Sequence, residues 1–187
     1  AFRDGFISQW AEFDRFDAIT IDEKIHPRFN AGVRLEIGRE VREFFGTLLA
    51  ENLPARNFID ADFLTINAAL GAHYEIDGEF PSDGSFQKIL LDPNSPRGGL
   101  LTQAAFLITG SNGERSSPVI RGALAMAKLL HDEPAPPPPN VPELGSDDGV
   151  PRSNREMVKM HQEQAVCASC HEKMDVIGFG LENFDTL

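Results

Sequence analysis

Cys167-Ala168-Ser169-Cys170-His171 holds the only two cysteines of the chain, in one C-x-x-C-H run. That pattern is the attachment signature of a c-type haem. Two thiols add across the vinyl groups of the porphyrin, and the adjacent histidine ligates the iron. The spacing has a physical basis. On a helix, residues three and four apart share a face, so all three side chains can address one ring. Other uses of the pair are weaker. A disulfide this tight would staple almost nothing in 187 residues. Zinc asks for about four ligands, usually from two separated pairs, and the sequence has no second pair. A thioredoxin-like dithiol wants a strand before it, whereas Ser153-x-x-Glu156 is a capping box opening a helix that runs toward the cysteines.

Upstream the pattern is also helical. Phe2, Phe6, Ile7, Trp10, Phe13 and Phe16 give residues 1–18 close to helical spacing. Val33, Ile37, Val41, Phe44, Phe45, Leu48 and Leu49 mark the clearest amphipathic helix, stopped by Pro54. A third helix is expected from an Asp60 or Asp62 cap, through Phe63 and Leu70, to His73 and Tyr74. Glycine and proline punctuate residues 75–99, with one short strand at Phe86–Leu91. Residues 100–109 read as a short buried helix. Ser117 as N-cap with Pro118 at the first helical position starts another. Pro134 to Pro142 reads as extended polyproline chain, a surface strap rather than a ligand for a partner domain. The expected fold is mainly α. A helical bundle (1–133) is followed by a proline-rich, acidic strap (134–150) and a cytochrome c-like haem-binding segment (151–187). The last segment is too short to bury a porphyrin alone, so it should share the core of the first.

The formal charge of −12 argues against nucleic acid, which wants a basic face, and against binding anionic membranes. It suits docking to a basic redox partner or a neighbouring haem subunit. No apolar run is long enough to span a bilayer, and no signal peptide is visible. Haem c is attached outside the cytoplasmic membrane. The expectation is therefore a periplasmic or otherwise extracytoplasmic bacterial chain, mature or truncated. Both ends read as cut, as in a fragment of a longer polypeptide.

His171 is the expected proximal ligand of one haem c. The sixth ligand is open among several residues, of which His73 is free to approach from the distal side. Met174 shares the proximal side, and His161, six residues before Cys167, could reach a haem edge or another cofactor but scarcely the far face of its own haem. Arg121 and Arg97 are candidate contacts for the haem propionates. The run Ile177-Gly178-Phe179-Gly180-Leu181 could wrap closely on the ring.

These segments together resemble the large planctomycete-type cytochrome c proteins built from domains of unknown function. The resemblance rests on Cys167–His171 with Met174-Asp175, then Gly178-Phe179 and Leu181-Glu182-Asn183-Phe184-Asp185. It extends to Arg97-Gly98-Gly99-Leu100-Leu101-Thr102-Gln103, Ser117-Pro118-Val119 with Arg121-Gly122, the prolines from 136 to 142, and Asn67 with His73-Tyr74. Val176 and Glu75 depart from it, standing where the family usually has proline and glycine. The resemblance implies haem c, an extracytoplasmic location and further domains, but no settled reaction.

Three functions compete. The favoured one is electron transfer through a six-coordinate haem. A peroxidase-like haem oxidoreductase would need an open iron face and a distal acid–base group, for which His73 or Glu75 would serve. A structural or interaction subunit of a redox assembly would use the strap and the acidic loop. The sequence therefore leaves open whether the chain is an enzyme, with an electron-transfer protein favoured over a stand-alone catalyst.

Overall fold

The computed structural model describes residues 2–136, 150, 152–163 and 165–187. The fold is mainly α, as the sequence patterns require. Its first half is built on α3, Ala31–Ala50. Asn30 caps this helix, its side chain accepting from the N–H groups of Gly32 and Val33. Ile37, Val41, Phe44, Phe45 and Leu48 form its buried stripe, while Leu49 turns outward.

The structure corrects three expectations of secondary structure. Residues 1–18 are two helices, α1 (Phe2–Trp10) and α2 (Phe13–Ala18). The break falls at Glu12, whose φ of 54° leaves the helical region. The aromatic stripe splits accordingly: Ile7 and Phe16 are buried, but Phe2 and Phe6 are exposed. The expected helix from residue 60 to 74 begins instead as a strand, β1 (Phe63–Ile66). Its four residues are all buried, and aromatic and β-branched side chains suit such a site. Helix α4 follows over Ala68–Tyr74, with Asn67 rather than an aspartate as its N-cap. The anticipated strand near 86–91 is β2 (Gln87–Leu90), antiparallel to β1 with Phe63 opposite Leu90 and Ile66 opposite Gln87. The third correction lies at the cysteine motif. The helix opened by the Ser153–Glu156 capping box is α7 (Asn154–Gln162), and the motif lies on a separate helix, α8 (Ala165–Gly180).

The second half holds α5 (Ala104–Thr109) and α6 (Pro118–Ala125), which continues as a π-helical turn over Met126–Leu130. Ser117 caps α6 through the N–H of Ile120, with Pro118 in the first turn. Helix α8 packs chiefly on α6 and then on α7. The α6–α8 approach is backbone to backbone. A Cβ on Gly122 would stand 1.8 Å from the Met174 carbonyl oxygen, and one on Gly178 would stand 1.7 Å from that of Pro118. Gly178 thus serves helix packing. Val176 is exposed within α8. A proline there would remove an N–H from the helical ladder, so valine permits one uninterrupted helix.

The main core gathers residues from Ile7 to Ile108, and a smaller cluster of Phe106, Leu124, Ala125 and Leu181 joins α5, α6 and the end of α8. Most of the polyproline expectation, residues 137–142, lies outside the described residues. Among those described, no helix is long and apolar enough to cross a membrane.

Candidate haem-attachment site

Helix α8 carries the motif. Three- and four-residue spacing sets Cys167, Cys170 and His171 on one side of it. Cys167 and His171 are buried, Cys170 is exposed, and the two thiols are not joined to one another. One turn further on, Asp175 is almost wholly buried. Its carboxylate oxygens lie 3.0 and 3.1 Å from His171 Nδ1, which donates to them. Gln162, on the last turn of α7, donates from Nε2 to Asp175 Oδ2 at 2.7 Å. His161 lies beside it, with its ring edge-on to that of His171 at 4.9 Å between centroids. Burial lowers the pKa of His161, and the neighbouring His171 lowers it further against a smaller opposing pull from Asp175. Among the described residues no group of three or more His, Cys, Asp or Glu side chains is arranged to hold a metal ion.

The other expected site residues lie elsewhere. His73 is on α4, which packs on α3 and β1, not on the main partners of α8. Its ring is 5.1 Å from that of Tyr74, and its buried Nε2 has no hydrogen-bond partner among the described residues. Burial, then Arg97, lower its pKa. Glu75 faces solvent and pairs with Arg28 at 2.8 Å. Arg97 stacks over the rings of Tyr74 and Phe184, at 4.3 and 5.0 Å, and its Nη1 donates to the Thr102 carbonyl at 2.8 Å.

Arg121 is fully buried. Its Nη1 donates to the carbonyls of Leu181 and Phe184, at 3.0 and 2.7 Å, and to Glu182 Oε1 at 3.1 Å, while Nη2 donates to the Asp185 carbonyl. These donors, expected at a propionate, instead clamp the chain beyond α8 onto α6.

Two features escaped the sequence reading. One is the Asp175–Gln162 pair behind His171. Its signal was the i, i+4 spacing of His171 and Asp175. The other is Glu40, fully buried in the stripe of α3. It was marked by a lone acid beside Ile37, Val41 and Phe44. Tyr74 donates its hydroxyl hydrogen to Glu40 Oε2 at 2.5 Å and accepts from the Ala104 N–H at 2.9 Å. Burial pushes the Glu40 carboxyl up to about 8, against the opposing effects of Tyr74 and Arg97.

Comparison with known proteins bears on both halves. Residues 1–76 match the PSD4 family model, described as a protein of unknown function (DUF1592). Residues 97–187, with the cysteine motif and the Arg121 clamp, match the PSCyt3 model, a protein of unknown function (DUF1588). No curated protein and no solved structure matches the chain. Over these two stretches the chain is similar to the domains of unknown function found in planctomycete-type cytochrome c proteins.

Proposed function

We propose that this chain is a c-type cytochrome module that transfers electrons through one covalently bound haem, within a larger redox protein or complex. One observation carries the proposal. Two thiols and an imidazole share a side of α8, and the imidazole spends Nδ1 on Asp175. That donor set fits haem c. Cys167 and Cys170 would form the thioether links, and His171 would offer Nε2 to iron. Bound there, the group supplies a one-electron ferric/ferrous couple. The protein's part is to fix the imidazole through Asp175 and to hold α8 rigid against α6. The acidic chain favours a basic electron donor or acceptor, and haem attachment implies an extracytoplasmic location.

The test is an absorption spectrum of the chain produced in a host that attaches haem c, oxidised and dithionite-reduced, with and without carbon monoxide. Covalent haem with sharp low-spin bands indifferent to carbon monoxide is the expected result. Cys167→Ala/Cys170→Ala should abolish covalent retention. Absence of covalent haem in the wild type would overturn the proposal. High-spin iron that binds carbon monoxide at once would favour a haem oxidoreductase over an electron carrier.

A further inference from the structure

We infer that Asp175 tunes His171 as an iron ligand, and that Gln162 sets how strongly it does so. The inference rests on the haem proposal and extends it from attachment to redox poise. The geometry is that of a buried relay. His171 Nδ1 meets both carboxylate oxygens of Asp175, at 3.0 and 3.1 Å, and Gln162 holds one of them at 2.7 Å from a separate helix. Asp175 is 2% exposed, so water competes little for the carboxylate.

A carboxylate that accepts from Nδ1–H draws the proton outward and makes Nε2 a stronger donor. A stronger donor stabilises the more positive ferric iron, so the reduction potential falls. Gln162 acts in the opposite sense. Its amide takes part of the charge of Oδ2 and weakens the acceptor that His171 meets. Low local dielectric strengthens both hydrogen bonds. Asp175 and Gln162 are thus positioning residues acting on iron through His171, and they have opposite signs.

The experiment measures the reduction potential of the haem-loaded chain at one pH for wild type, Asp175→Asn and Gln162→Leu, with covalent haem checked on each. His161, whose ring touches His171, is kept in all three. The expected result is a potential above wild type for Asp175→Asn and below it for Gln162→Leu. An unchanged potential in both, or shifts of the same sign, would overturn the inference while covalent haem in the wild type left the haem proposal standing. A wild type without covalent haem would overturn both. If Asp175→Asn does not fold, Gln162→Leu decides: a lower potential supports the inference, and an unchanged or higher one overturns it.

Discussion

At the residue scale the sharpest feature is Glu40. An acid in the apolar stripe of α3 has lost its water, and the fold answers by favouring its neutral form, with Tyr74 as hydrogen-bond partner. The consequence for stability follows by linkage. The unfolded chain releases this proton near the ordinary value of 4.5, while the native chain keeps it to about 8. Between those values the native state binds more protons, so rising pH favours unfolding. The stabilisation is complete below 4.5 and is lost as pH rises toward 8. Wild type should therefore lose stability relative to Glu40→Gln across that window, with the unfolding constant rising up to about tenfold per pH unit. Urea midpoints at several pH values for both proteins check it; parallel pH profiles would count against a neutral Glu40. Glu75 offers a second case. It ends α4 with φ 56° and ψ 39°, a left-handed conformation that glycine adopts without penalty. Its ion pair with Arg28 is exposed and contributes little. Glu75→Gly should stabilise the chain by about 0.5–1 kcal/mol, the cost of holding a side chain there, as read by chemical denaturation. No change would mean that the Arg28 pair offsets the strain, and a loss that it outweighs it.

At the scale of elements, the contact between α6 and α8 sets the site in place. Two glycines admit it, because each sits against a carbonyl oxygen of the opposite helix. Backbone cannot give way as a flexible side chain can. Gly178→Ala should force the helices apart and cost about 3 kcal/mol or more. Gly180→Ala, two residues on, meets nothing within 4 Å and should stay within about 1 kcal/mol of wild type. Thermal melts followed by circular dichroism separate the two; equal effects would refute the packing account. The glycines were visible in the sequence, but their use was not. Glycine in an apolar run reads equally as room for a cofactor or for a neighbouring helix, and only the position of α6 decides. The same holds for Arg121. Its carbonyl partners, at positions 181, 184 and 185, lie some sixty residues away along the chain, and no local pattern announces them.

At the scale of the whole molecule, the two stretches that match separate domain models share one core. Residues Ile7 to Ile108 form a single cluster across both. Arg97 bridges Tyr74 of the first stretch and Phe184 of the second. Lys128 pairs with Glu12 at 2.6 Å. The chain from 1 to 187 should therefore unfold in one cooperative transition, whereas residues 97–187 alone should show none, because α5 would lose the α2 and α3 surfaces it packs on. Calorimetry of both checks it, and a cooperative melt of the shorter piece would show that the halves fold independently.

What the sequence determined by itself was local. Caps, amphipathic stripes and the cysteine spacing act within a turn or two of chain, so α3, α6, α7, β2 and the Cys167–His171 face were legible from residue types alone. The Phe63–Ile66 strand was not, since three apolar residues around Thr65 fit a helix or a strand equally and the choice was made by β2 and by burial against α3. The settings of Gln162, Glu40 and Arg121, and the burial of Asp175 behind its local bond to His171, were likewise decided only by tertiary structure. Burial and long-range hydrogen bonds give those side chains their chemistry, and neither is a property of the neighbouring sequence.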